Sequence, residues 1–148
     1  MNYNIRKATI SDLEGISNLQ KDYEHILITE NSLKSDLTND RAIYFIATNN
    51  SDILGCIGGL ILVDHADISI VITNKQYVKN GIAYSLLKTF IEYCKENNIE
   101  QIFLEVRSSN TAAIQLYEKS GFNKIHTRKN YYNDNNEDAL IYIKNIAV

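Results

Sequence analysis

The chain of 148 residues contains no proline, no tryptophan and only two cysteines. No stretch approaches the ~18 consecutive apolar residues of a membrane-crossing helix, so no transmembrane helix is expected. The start, Met1-Asn-Tyr-Asn-Ile-Arg-Lys7, lacks the apolar core of a secretory signal, and the cytosol is the expected location. Charge of one sign is lacking as well. Fifteen Lys and Arg against 18 Asp and Glu give a formal net charge of −3, which offers no electrostatic case for nucleic acid or an anionic membrane. Cys56 and Cys94 form no C-x-x-C pair and do not cluster with His25, His65 or His126. Buried, reduced thiols are expected, with no metal site and no redox pair. The missing proline, beside abundant asparagine, reads as a bias of genome composition and carries no functional message.

What is present fits one domain, 1–148, long enough to bury a core without disulfides or metal. Tyr3 to Thr9 alternates as an edge strand. Ser11 caps a helix to about Glu24, with Glu14 completing a capping box, and Asn31 to Leu37 is a second short helix. Ala42 to Thr48 and Ile53 to Val63 are strands joined by the turn Asn49-Asn-Ser-Asp52. Asp64-His65 makes the next turn and Asp67 to Thr73 the next strand. From Gly81 to Asn97, Ile82/Ala83, Leu86/Leu87, Phe90/Ile91 and Cys94 recur at helical spacing, one stripe facing a core. The strand Gln101 to Arg107, the helix Asn110 to Lys119, and the strands Phe122 to Asn130 and Asp138 to Ile146 complete the order. Meanders at both ends make this a mixed α/β sheet with helices on both faces, not a doubly wound one.

Four places can carry chemistry. The loop Asn74-Lys-Gln-Tyr-Val-Lys-Asn-Gly-Ile-Ala83 joins a strand to a helix start, where free N–H groups and the helix dipole favour an anion and Gly81 allows close approach. It lacks G-x-G-x-x-G and G-x-x-x-x-G-K-[ST], so neither a Rossmann nor a P-loop assignment is supported, and Asn80 as a simple helix cap is the plainer alternative. Glu105 sits in a strand of Ile, Phe, Leu and Val, where an unpaired buried carboxylate is costly unless it is paired or does proton chemistry. It fits equally the polar face of a half-exposed strand, alternating with Phe103 and Arg107. Asn110 is a good N-cap and an equally good ligand contact. Tyr117 shares a helix face with Ala113 and Ile114 and can be an ordinary core tyrosine.

Taken together, Lys79-Asn-Gly-Ile-Ala83, Leu104-Glu-Val-Arg-Ser-Ser-Asn-Thr-Ala-Ala-Ile114, Leu116-Tyr-Glu118, Gly121-Phe122 and Asn130-Tyr-Tyr132 followed by Glu137-Asp-Ala139 resemble the GCN5-related N-acetyltransferase (GNAT) superfamily. The resemblance begins at Ile5 and spans essentially the whole chain. Within the superfamily it is most similar to the bacterial ribosomal-protein-alanine N-acetyltransferases. It implies a GNAT-like fold of about six to seven mostly antiparallel strands, acetyl-CoA as donor and a primary amine as acceptor. It maps the pyrophosphate loop onto Lys79, Asn80, Gly81, Ile82, Ala83 and Tyr84, and the strand that pairs with the pantetheine arm onto Val71, Ile72 and Thr73. It makes Asn110 a coenzyme A contact, Glu105 the general base and Tyr117 the general acid.

The chemistry suits those types. An amine attacks a thioester only as the free base, so a group must accept its proton, and the expelled thiolate can take one from a phenol. No cysteine is placed to form an acyl-enzyme, so direct transfer in a ternary complex is expected. An α-amine with pKa about 8 costs roughly 1 kcal/mol to deprotonate at pH 7 and a lysine at about 10.4 roughly 4.6 kcal/mol, which favours a protein N-terminus. The alternatives are a small amine (polyamine, aminoglycoside or amino acid) and a non-catalytic acyl-CoA-binding module. A monomer or homodimer is expected. The chain departs from the family pattern at Val78, where Arg or Gln is usual, at Ala83 in place of a second glycine, and at Leu140-Ile-Tyr142, where methionine is usual. It also has Glu24-His-Ile-Leu-Ile-Thr-Glu-Asn31 where a Pro-Trp pair is usual.

Overall fold

A computed structural model describes residues 2–50 and 52–146; Met1, Ser51 (part of the expected Asn49 to Asp52 turn), Ala147 and Val148 lie outside it. The chain runs β1 (Asn4–Lys7), α1 (Leu13–Asn18), α2 (Glu30–Leu37), β2 (Ala42–Asn49), β3 (Asp52–Ile61), β4 (His65–Thr73), α3 (Ile82–Glu96), β5 (Gln101–Arg107), α4 (Thr111–Lys119), β6 (Asn123–Arg128) and β7 (Ala139–Asn145). The strands form one seven-stranded sheet in the order β1-β2-β3-β4-β5-β7-β6, and only the β4–β5 pair is parallel. The expected mixed sheet, mostly antiparallel with helices on both faces, is the observed one.

Each face has its own core. Ile16 of α1, Leu19 just after it and Leu33 of α2 pack with Tyr44, Ile46, Cys56, Ile70 and Ile72. On the other face Leu86, Leu87, Phe90 and Cys94 of α3 and Tyr117 of α4 pack with Ile57, Leu104, Val106 and Tyr142. The apolar stripe read in α3 is the stripe that is buried. Cys56 and Cys94 are free and buried, as expected.

The first helix differs from expectation. The capping carboxylate is Asp12, in a Thr9/Asp12 box two residues earlier than the Ser11/Glu14 box: it accepts the Thr9 N–H at 2.8 Å and a two-pronged pair of bonds from Arg6, each 2.9 Å. The helix ends at Asn18, not Glu24, because Gln20 turns inward and holds the returning chain. Its Oε1 accepts Leu27 N–H at 2.7 Å and Ile28 N–H at 3.0 Å, while its Nε2 donates to Ile28 O at 2.9 Å. Backbone groups there have no ladder partner, so one buried amide satisfies three of them.

A bulge in β4 shapes the molecule. The alternation Ala66, Ile68, Ile70, Ile72 looks like a single face. The register instead pairs Gly59 with Ile68 and Gly58 with Ile70, leaving Ser69 without a partner on β3. One extra residue reverses the facing of everything after it. Ala66 accordingly joins the α3/α4 core, and Ile70 and Ile72 join the α1/α2 core. Gly59 permits this, since a Cβ there would collide with the Asp67 carbonyl oxygen. Asp64-His65 is not the turn that was expected; His65 already belongs to β4 and its carbonyl accepts the Leu62 N–H at 2.8 Å.

Candidate active site

The bulge opens a gap. β4 and β5 pair only over His65–Ile68 and Gln101–Leu104, yet β4 runs on to Thr73 and β5 to Arg107. Beyond Ile68 the two parallel strands splay, and the edge of β4 is left without a strand partner. Its polarity follows from the register with β3. The Asn74 N–H bonds to Leu54 O at 2.7 Å, so in the antiparallel alternation Ile72 turns its polar groups toward Cys56. Val71 and Thr73 therefore point their N–H and C=O groups away from β3, into the gap. An extended amide-bearing chain can pair there.

Directly after β4 comes the predicted anion loop. Asn74 accepts the Gln76 N–H at 3.0 Å, and Asn80 Nδ2 donates to the carbonyls of Tyr77 (3.0 Å) and Val78 (3.3 Å). Asn80 thus braces the loop, and the α3 cap is Gly81, not Asn80. Lys79 (φ 66) and Gly81 (φ 76) both take the left-handed conformation, and a Cβ built on Gly81 meets nothing within 4 Å. The first N–H of α3 that finds an acceptor is that of Ser85, on Gly81 O at 3.0 Å. Those of Ile82, Ala83 and Tyr84 have no acceptor among the described residues, which leaves an open, donor-rich helix start suited to a phosphate group. Asn110 caps α4 by accepting the Ala113 N–H at 3.2 Å, so the cap reading of this residue holds.

Glu105 is not the buried acid that its strand suggested. β5 alternates, with Ile102, Leu104 and Val106 buried and Glu105 exposed on the opposite face. Its carboxylate lies 3.2 Å from the Arg128 guanidinium. Tyr117, by contrast, is buried among Phe122 and Tyr142, ring centres 5.9 and 6.5 Å away. Burial pushes its phenol well above the usual tyrosine range. Its hydroxyl has no hydrogen-bond partner among the described residues. A phenol raised in this way stays protonated at neutral pH.

Residues 8–122 match the family model described as Acetyltransferase (GNAT) family. The chain belongs to that family, and it is an N-acetyltransferase. This GNAT protein is 34% identical over 104 residues to the [ribosomal protein bS18]-alanine N-acetyltransferase of Escherichia coli (strain K12), covering 69% of this chain and 70% of the relative. It is 31% identical over 138 residues to a Bacillus subtilis protein whose name gives it, provisionally, the same activity, covering 93% of this chain and 91% of that one. The crystal structure of the ribosomal-protein-S18-alanine N-acetyltransferase from Escherichia coli superposes with a TM-score of 0.92 at 28% identity, over 99% of this chain and 96% of that one.

The GNAT protein also builds a polar cluster that its sequence did not announce. At the end of β5, Arg107 makes a two-pronged pair with Asp134, 3.2 Å at each oxygen, lies 3.3 Å from Glu137 and stacks 3.8 Å over the Tyr132 ring. His25 Nδ1 is 2.9 Å from Asp134 Oδ2. Tyr23 donates its hydroxyl proton to Thr73 O at 2.5 Å. These residues join the loop after α1 to the loop before β7, the two stretches where the family pattern is thinnest. Arg107, Tyr132 and Glu137 lie within the motifs that carry the family resemblance, whereas Tyr23, His25 and Asp134 were not singled out. Tyr23 and its partner are 50 positions apart and share no local signal.

Proposed function

We propose that this GNAT protein moves the acetyl group of acetyl-CoA to a primary amine by direct attack in a ternary complex, and that the acceptor is the N-terminal α-amine of a ribosomal protein. The observation that carries the reading is the unpaired edge of β4 leading straight into the open N-terminus of α3. Val71 and Thr73 would pair with the amides of the pantetheine arm, Ile72 between them keeping its bonds to β3. The N–H groups around Lys79, Asn80, Gly81, Ile82, Ala83 and Tyr84 would hold the pyrophosphate, with Asn110 at the start of α4 as a further contact. Val78 removes a side-chain contact usual in the family, and the donors that remain are backbone groups that any residue supplies.

Acetyl-CoA supplies a thioester-activated acetyl group. The protein supplies proton handling on either side of β5. Glu105, on the exposed face, accepts the amine's proton through a water; Tyr117, buried on the other face, gives its proton to the departing sulfur. Cys56 and Cys94 take no part, because burial keeps both thiols protonated. The acceptor assignment draws on the named activity of the Escherichia coli relative and on the lower cost of deprotonating an α-amine.

Thiol release measured with acetyl-CoA, peptides beginning with alanine and a panel of small amines tests the reading. Turnover of the peptides at kcat/KM well above every small amine is expected. Turnover of small amines alone would remove the ribosomal acceptor, and no turnover of any amine would remove the reaction.

A further inference from the structure

Tyr23 and His25, two residues apart, hold on to opposite sides of the gap. Tyr23 bonds to Thr73 O, one of the two β4 carbonyls that face the gap rather than β3. His25 Nδ1 lies 2.9 Å from Asp134 Oδ2, and Arg107 holds that carboxylate at the end of β5. Thr73 and Arg107 are the C-terminal residues of two parallel strands, so the segment between Tyr23 and His25 crosses the mouth of the splay. It belongs to the α1/α2 side of the sheet, the side away from α3 and α4, on which Glu105 is exposed.

Both ends of this strap are braced. The Tyr23 N–H bonds to Gln20 O at 3.0 Å, and Lys75 donates to Asp22 O at 2.9 Å while its ammonium sits 5.1 Å from the Tyr23 ring centre. Gln20 fixes Leu27 and Ile28 on the far side. Tyr23 is half-buried, and its phenol is raised above the usual range by burial, then by Asp22, so it stays a donor.

We propose that Tyr23 is a positioning residue for the acceptor amine: its bond to Thr73 O fixes the strap over the Glu105 side of the gap, giving the wall against which the amine is aligned. The inference rests on the acetyl-transfer reading and adds to it the residue that sets the acceptor's approach. A carbonyl oxygen has two lone pairs, so Thr73 O can keep the tyrosine bond while an incoming amide N–H uses the other. The strap then couples the donor strand to the acceptor side without blocking either.

The test compares Tyr23→Phe, His25→Ala and His25→Asn with the parent, using acetyl-CoA and the alanine peptide, or the best small amine if the peptide is inert. Losing one neutral hydrogen bond should raise acceptor KM about fivefold in Tyr23→Phe, with kcat changed by less than about threefold and the acetyl-CoA Kd within about twofold. His25→Ala should show the same split, and His25→Asn, which keeps a donor near the Nδ1 place, should recover most of it. Because the two residues anchor one segment, the double variant should be no worse than the worse single. Unchanged KM in both single variants, or additive effects, would overturn the strap. If Tyr23→Phe fails to fold by thermal melt, the two His25 variants carry the test alone. Glu105→Gln measured in parallel separates the readings: if it retains turnover the general-base role falls, while the strap is still judged on the KM split.

Discussion

Glu105 and Tyr117 lie on opposite faces of β5. Glu105 shares its face with Phe103 and Arg107, directly opposite Ile141 of β7, whereas Tyr117 packs against Tyr142, which stands opposite Leu104 on the other face. A carboxylate in contact with water and a largely buried phenol stand on either side of one strand beside the splay. Their environments differ accordingly.

Removing either group should slow the reaction in its own way. Glu105→Gln should lower kcat by about a hundredfold or more, with the deficit greatest at low pH, where the amine is most protonated. Tyr117→Phe should lower kcat by about tenfold or more while acetyl-CoA affinity, read by calorimetry, stays nearly intact. Near-normal turnover in both variants would refute the assignment of roles.

Two glycines should fail differently. Gly59→Ala puts a methyl group against the Asp67 carbonyl, and with no room for it the bulge must deform; a loss of about 2 kcal/mol or more in denaturant unfolding is expected. Gly81→Ala meets open space but forces a left-handed alanine, costing about 1 kcal/mol. Its larger effect should be on acetyl-CoA Kd, since the methyl group enters the proposed phosphate cradle.

Acid should act on the loop before β7. Hydrogen bonds led by Ser109, with Asn135 and Arg107 contributing, hold the Glu137 carboxyl at about 2, below its ordinary 4.5. A carboxyl lowered by folding contributes stability in full above 4.5 and loses it as pH falls through about 2. The melting temperature should therefore drop across that window, and Glu137→Gln should flatten the drop. An equal slope in the variant would assign the acid sensitivity elsewhere.

Thiol reagents should find little to attack. Cys94 is pushed up to about 12 by burial and Cys56 higher still. Iodoacetamide at pH 8 should leave both unlabelled in the folded protein, and acetyl transfer should survive the treatment. Rapid labelling with loss of activity would instead favour an acyl-thiol route.

Much of the fold was legible because it is local. The α3 stripe, the strand Gln101 to Arg107 and the cap at Asn110 depend on residues within a few positions of one another, and each was found where it was read. The helix ending at Asn18 was not legible, since Gln20 stops it by bonding Leu27 and Ile28 across a turn. The face of Glu105 was not settled either. An apolar strand with one acid fits both a buried and a half-exposed setting, and only the packing of β5 in the folded sheet, with Ile102, Leu104 and Val106 turned inward and Glu105 outward, decided between them.

By itself the sequence determined the order of elements, the mixed sheet and the family's motifs, because periodicity, caps and spacing act over a few residues. The tertiary structure alone decided that β4 bulges at Ser69, that β4 and β5 part after Ile68 and Leu104, and that Tyr23 and His25 meet partners 50 and 109 positions away. Such contacts follow from strand register and sheet twist, which sum over the whole chain and leave no mark at any one position.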